Sequence, residues 1–183
     1  MLFGAGEALL VASELGNSPW TVLAEGVALQ TALAVGTATV AVSVVVLMLW
    51  VPLRQRPGLG TILNTITVGL SIDATLLLLP DGLPLGVRVA CVPLGIALVG
   101  LGSGLYLTAR LGPGPRDGLM TGLHRATGLS LRVVRAGIEI GAVVVGFVLG
   151  GTVGVGTVAF ALAIGPAVQA AVLALGGRDT ASL

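Results

Sequence analysis

The residues best suited to chemistry form a polar face along one strongly apolar segment. Thr61, Thr65, Gly69 and Asp73 recur every four residues, which predicts a slowly turning seam on a helix. A carboxylate inside a membrane costs about 2.5 to 3.5 kcal/mol on insertion scales, so Asp73 is a default site residue. The alternative is that Asp73 hydrogen-bonds another helix or reaches water at the outer surface.

A matching seam follows later in the chain, at Thr157, Ala161, Gly165 and Gln169. We expect the two seams to face each other and to bind a small solute or ion. The candidate binding residues are Thr61, Asn64, Thr65, Asp73, Thr157 and Gln169.

Three glutamates need separate explanations. Glu139 follows Arg135 by four residues, the spacing of an ion pair within one helix. Glu7 interrupts the first apolar stretch with no cation nearby in sequence, and a proton- or cation-handling role is one interpretation. Glu25 is expected to be solvated on an outer connecting helix.

The sequence does not contain the sets of residues that metal binding, phosphate binding or nucleophilic catalysis require. His124 is the sole histidine and has no second ligand at metal spacing, and Cys91 is expected to be a small buried hydrophobe. No lysine-bearing phosphate loop or nucleophile elbow occurs. We therefore expect no enzyme, no cofactor and no metal. A net charge of +1 also argues against a nucleic-acid partner.

Composition places these residues in a membrane. Apolar residues make up 55% of the 183 residues and charged residues 9%, with a mean hydropathy of +1.07. A soluble domain carries roughly 25% charged residues. Continuous apolar runs such as Val40–Val51 favour helices over alternating barrel strands. The predicted fold is all-α, a polytopic bundle of six transmembrane helices. The spans are about Leu2–Leu15, Val35–Leu53, Gly60–Leu79, Leu85–Ala109, Val133–Gly150 and Val155–Leu175.

The arginines orient this bundle. Eight fall on one side of the six predicted spans and one, Arg88, falls on the other, which predicts cytoplasmic N- and C-termini in a cytoplasmic membrane. The eight are Arg54, Arg56, Arg110, Arg116, Arg125, Arg132, Arg135 and Arg178. Trp50 and Tyr106 are then expected near the cytoplasmic interface, and Trp20 near the outer one.

The chain matches itself at a shift of 96 positions. Gly16–Pro19 aligns with Gly112–Pro115, and Gly58–Thr61 aligns with Gly154–Thr157. We predict a first repeat over 1–80 and a second over 84–177, each with three spans. Three is odd, so the second repeat enters the membrane inverted, as in many secondary transporters.

Each repeat also contains a connection that reads as a helix, at about 17–30 and about 114–128. Pro19 and Pro115 suit the first helical position. These short helices are predicted to be interfacial or re-entrant, with their starts, at Ser18 and at Arg116 and Asp117, as gates. Relative to the fourth span, about ten residues of the first helix are absent. Either that helix is short or the start at Met1 has been placed late.

Three stretches resemble the YczE/YitT-type bacterial integral membrane proteins, in particular the YczE-like branch. They are Leu15–Trp20 (LGNSPW), Pro52–Thr61 (PLRQRPGLGT) and Leu107–Met120 (LTARLGPGPRDGLM). The resemblance implies a bacterial multi-pass membrane protein. It supplies no catalytic residues, and the chain lacks the soluble C-terminal domain of the YitT branch.

Two functions remain open at this point. The first is a small-solute or ion transporter or permease, with the lipid bilayer and its solute as partners. The second is a non-transporting accessory or assembly partner, suggested by a ridge of small residues at Gly114, Gly118 and Gly122 that permits close helix packing. A homo-oligomer is compatible with either function.

Overall fold

A computed structural model describes residues 1–109 and 112–175 of the chain, and the described part is entirely helical. Of the arginines used to orient the chain, Arg110 and Arg178 lie outside these residues. The helices are α1 (Leu2–Ser13), α2 (Pro19–Thr31), α3 (Val35–Trp50), α4 (Leu59–Leu78), α5 (Leu85–Thr108), α6 (Pro115–Thr127), α7 (Leu131–Val148) and α8 (Val155–Ala174).

Sequence signals at the helix starts explain several of these bounds. Proline occupies the first turn of α2 and α6, where its missing N–H costs nothing. At the starts of α4 and α8, the backbone N–H groups of Gly58 and Gly154 donate to the hydroxyls three residues later, on Thr61 and Thr157. The repeated Gly-x-Gly-Thr motif therefore begins a helix in both places.

Three helices are long and apolar enough to cross a membrane by themselves, α4, α5 and α8. Helices α2 and α3 pass the same test only as a pair, bent by 110° at a short break, which raises the number to four. Helix α7 has 18 residues but carries Arg132, Arg135 and Glu139, and α1 has 12 residues. Residues 1–109 and 112–175 thus form an all-helical membrane protein structure with three or four helices of spanning character.

Short α1 is enclosed by longer helices. It packs along α5 and α4, and a Cβ on Gly6 would lie 2.6 Å from the carbonyl oxygen of Gly95. Ala8 and Leu10 are fully buried as a result. The neighbouring helices α4 and α5 therefore cover much of α1.

Both tryptophans are buried within the protein. Trp50 is 1% exposed and Trp20 is 7% exposed, so both rings lie inside the protein. The Trp50 indole packs on Gly118 of α6 and donates from Nε1 to the Pro115 carbonyl, 3.0 Å away. The missing side chain of Gly118 therefore leaves the space that the indole occupies.

The glycine ridge of α6 is used within the chain. Added Cβ atoms on Gly118 would overlap Trp50, and on Gly122 would lie 3.1 Å from a methyl carbon of Leu53. The expected close helix approach is therefore observed, with α3 and its C-terminal turn as the partner.

Candidate solute-binding cavity

A cavity of about 200 Å³ lies among the helices, and each of the eight described helices contributes to its lining. Ligand pockets usually measure about 300 to 1,000 Å³, so this one suits a small molecule. Its polar walls include Thr39, Ser43, Asn64, Thr65, Ser103 and Tyr106, and its charged residues are Arg116, Asp117, Arg135 and Glu139. A more open hollow of about 410 Å³ beside Met1 is lined largely by apolar residues.

Arg116 is the central cation of this cavity. It is the second residue of α6, and its guanidinium carbon lies 5.7 Å from the ring centre of Phe3 and 5.3 Å from that of Trp20. Both distances allow cation–π attraction. The carboxylates of Glu7, Asp117 and Glu139 also interact electrostatically with Arg116. Within the described chain, no hydrogen bond or ion pair engages the guanidinium.

Asp117 is fixed by a neighbouring helix. The Tyr106 hydroxyl on α5 donates to Asp117 Oδ2 at 2.7 Å and accepts from the backbone N–H of Gly114. A carboxylate in the first turn of a helix is also favoured by the helix dipole. The predicted gate residues Arg116 and Asp117 therefore both line the cavity, and Tyr106 holds the start of α6 against α5.

Arg135 and Glu139 form the expected ion pair across one helical turn of α7, with Nε and Oε1 3.0 Å apart. Both side chains line the cavity. The pair supplies a third and a fourth charge to a site that the sequence placed on other helices.

The predicted binding residues on α4 and α8 differ in where the structure places them. Asn64 and Thr65 line the cavity. Thr61 and Thr157 serve helix starts, and the Thr61 hydroxyl also donates to the Pro113 carbonyl at 2.6 Å. Gln169 is half-buried on α8 and is not part of the lining.

Asp73 is a residue of α4 that lies away from the cavity and beside the N-terminus of α3. Its Oδ1 accepts from the backbone N–H of Gly36 at 2.6 Å, and its Oδ2 accepts from the Thr37 hydroxyl at 3.0 Å. A carboxylate at a helix N-terminus satisfies a free N–H and meets the positive end of the dipole. The geometry thus matches the alternative considered for Asp73, a bond to another helix.

Glu7 is completely buried, and two hydroxyls of α2 surround it. Ser18 Oγ donates to Glu7 Oε2 at 2.7 Å, and Thr21 Oγ1 donates to the same oxygen at 2.8 Å. Oε1 has no hydrogen-bond partner. The predicted gate residue Ser18 is therefore tied to α1, beside the cavity residues Pro19 and Trp20.

Glu25 corrects an expectation. It is half-buried, and its carboxylate accepts from Asn17 Nδ2 at 2.8 Å and from the backbone N–H of Thr152 at 2.5 Å. The residue therefore joins the connection between α1 and α2 to the loop before α8 instead of being solvated. The contact between Glu25 and Thr152 could not be predicted from local spacing, because 127 residues separate the two in the sequence.

The sequence interpretation missed Phe3, Tyr106 and the Arg135–Glu139 pair as parts of the site. Tyr106 carried one usable signal, because an aromatic hydroxyl in an otherwise apolar helix requires a polar partner. No group of three or more metal-binding side chains is found among the described residues.

Comparison with known proteins places this architecture in a family. A family model described as "Family of unknown function (DUF6198)" matches residues 1–172. The chain belongs to this family. The expected YczE-like membership is also confirmed, because the chain is 31% identical over 152 residues to the "Uncharacterized membrane protein YczE" of Bacillus subtilis. That alignment covers 82% of this chain and 71% of the relative.

Two further relatives share most of the sequence. A Haemophilus influenzae protein printed as "Uncharacterized protein" is 46% identical over 168 residues, covering 92% of this chain and 77% of its own. The Bacillus subtilis "Uncharacterized protein YyaS" is 26% identical over 161 residues, covering 86% and 80% respectively. No solved structure matches.

Proposed function

We propose that the chain is a permease of the bacterial cytoplasmic membrane that moves a small solute through the central cavity. The observation that carries this proposal is the cavity itself, which gathers two arginines and two carboxylates among apolar helices. Ionisable residues within membrane-spanning segments are expensive and commonly mark solute pathways in membrane proteins.

Two inverted repeats are part of the proposal, and the helix bounds support them. Helices α2 and α6 begin and end 96 positions apart, and so do α4 and α8. Ala32 and Gly128, at the ends of α2 and α6, share a left-handed backbone with φ of 56° and 72°. In this arrangement three helices of each repeat, α1, α3 and α4 or α5, α7 and α8, cross the membrane.

Contacts between the halves support a two-fold relationship, because they occur in exchanged pairs. Gly6 packs on Val99, and Gly102 packs on Phe3. Adding 96 to the number of the residue in the first repeat, and subtracting 96 from the number of the residue in the second, converts either contact into the other. Three more pairs of contacts are related in the same way. The contact of Gly16 with Thr157 corresponds to that of Gly112 with Thr61, and the contact of Val22 with Gly146 corresponds to that of Gly118 with Trp50. The contact of Gly26 with Leu149 corresponds to that of Gly122 with Leu53.

One pair of helices breaks this relationship and suggests how access could alternate. Helix α3 packs along α4, where Gly36 and Gly69 bring the backbones together. The equivalent α7 and α8 do not pack along each other, and the cavity reaches both. We propose that this pair closes and that α3 and α4 separate when the solute is released on the other side.

Flux through the purified full chain in liposomes tests the proposal. The panel contains one neutral, one cationic, one anionic and one zwitterionic small solute. We expect transport of at least one class above empty liposomes, and loss of that transport in Ser103→Trp, which fills the cavity. Leu162→Trp is the matched control, because Leu162 is exposed on α8 and lies outside the lining.

Equal rates in protein-containing and empty liposomes for all four classes would contradict a permease. The accessory role would then be the better explanation, although the glycine ridge that suggested it is occupied by Trp50 and Leu53 of the same chain.

A further inference from the structure

The charged residues of the cavity retain unused binding capacity of both signs. Arg116 has no hydrogen bond or ion pair to the described residues. Asp117 uses Oδ2 for Tyr106, and Glu139 uses Oε1 for Arg135. The second oxygen of each carboxylate has no hydrogen-bond partner within the described chain. One cationic donor group and two anionic acceptor atoms therefore remain available to a ligand.

The sum of these charges restricts the ligand. Arg116 and Arg135 balance Asp117 and Glu139, so the lining is neutral overall. A zwitterion matches such a lining, because each of its two charges can pair with an opposite charge there, whereas a solute with net charge leaves one charge of the lining uncompensated. The two carboxylates of the lining disfavour a net anion, and its two arginines disfavour a net cation. Glu7 lies outside the lining, where the hydroxyls of Ser18 and Thr21 donate to it.

We propose that the cavity binds a small zwitterion of the α-amino acid type, which deepens the proposed permease function and rests on it. Its carboxylate pairs with the Arg116 guanidinium, and its ammonium pairs with the free oxygens of Asp117 and Glu139. Arginine is suited to this role because its planar fork binds a carboxylate through two parallel hydrogen bonds.

The remaining lining accounts for the rest of such a molecule. Phe3, Val99, Phe160 and Ile164 form apolar walls around the charged groups. A volume of about 200 Å³ accommodates a small apolar side chain and leaves little room for a long polar one. Phe3 and Trp20 also flank the guanidinium and restrict how a carboxylate approaches it.

Ligand-dependent thermal stability of the full chain in detergent provides the test. The probes are L-alanine and L-valine, and the matched fragments are propionate, which lacks the ammonium group of alanine, and ethylamine, which lacks its carboxylate. We expect saturable stabilisation by at least one amino acid, with both fragments at least about tenfold weaker. Stabilisation by propionate or ethylamine equal to that by the amino acids overturns the proposal.

Variants locate the site. Arg116→Gln is expected to weaken amino-acid binding at least about tenfold, and Arg116→Lys to weaken it less, because lysine keeps the charge but loses the fork. Arg125→Gln is the control, since Arg125 is exposed on the same helix. Unchanged binding in a folded Arg116→Gln or Arg116→Lys protein overturns the assignment, as does equal loss in Arg125→Gln.

Uptake of labelled alanine and valine into liposomes separates this inference from the proposed function. Binding without flux of any solute class supports the zwitterion site and contradicts the permease. Flux of another solute class, with no binding of either amino acid, overturns the zwitterion and leaves the permease standing. Neither binding nor flux overturns both.

Discussion

Trp20 and Arg116 occupy equivalent positions 96 residues apart, and their side chains meet, with 5.3 Å between the guanidinium carbon and the indole ring centre. A residue that contacts its own counterpart lies close to the axis relating two copies. Two arginines at this point would repel each other, whereas an arginine against an indole attracts. Because the two repeats carry different residues at this position, the charge of Arg116 lies against an indole ring and not against a second arginine.

Replacement of Gly118 by Ala is expected to destabilise the protein by about 1 to 3 kcal/mol, because the new Cβ overlaps the buried Trp50 ring. Unfolding of the purified protein by denaturing detergent measures the change. Gly137→Ala is the matched control on α7, since no described atom beyond the surrounding backbone of α7 lies within 4 Å of its added Cβ. That variant should be neutral or slightly stabilised by higher helix propensity, and equal destabilisation of both would argue against the close packing of α3 on α6.

Asp73→Ala is expected to lower stability by about 1 to 3 kcal/mol, because the backbone N–H of Gly36 loses its acceptor at the start of α3. Ligand binding per folded molecule should remain unchanged, since Asp73 does not line the cavity. Asp81→Ala, in the exposed connection before α5, serves as the control. Loss of ligand binding in folded Asp73→Ala would indicate that the Asp73 carboxylate takes part in binding after all.

The helices were predictable because lipid imposes simple demands on a sequence. Apolar runs, proline at N1 and the Gly-x-Gly-Thr motif place α4, α6 and α8 within a few residues of their observed bounds. The Arg135–Glu139 pair was also predictable, because both partners lie on one helix at a fixed spacing.

The site was less predictable, because its members meet through packing between distant helices. Asn64 and Thr65 were found from their seam, yet the periodicity that joins them to Asp73 extends beyond the cavity to another helix start. Helical spacing identifies a shared face without showing what each part of that face contacts. Phe3 and Tyr106 reach Arg116 and Asp117 from other helices, and this kind of proximity leaves no local pattern.

Glu7→Ala is expected to destabilise the protein by about 3 kcal/mol, because the buried hydroxyls of Ser18 and Thr21 lose a charged acceptor. Glu7→Gln retains an acceptor oxygen and should lose less. Detergent-induced unfolding of both variants provides the comparison, with Glu14→Ala as a control at a mostly exposed glutamate. If alanine and glutamine at position 7 are equally tolerated, the hydroxyl cluster does not hold α1 against α2.

Cysteine accessibility tests the inverted arrangement directly. In a Cys91→Ser background, single cysteines at the exposed positions Leu33, Arg56, Asp81 and Leu129 are labelled in intact cells with a membrane-impermeant maleimide. The proposed topology gives labelling at Leu33 and Asp81, and protection at Arg56 and Leu129 until the membrane is opened. Leu33 and Leu129 follow α2 and α6, so they are the decisive pair. Because an odd number of crossings separates inverted copies, labelling of both from the same side would mean that the two halves are parallel and that the exchanged contacts need a different axis.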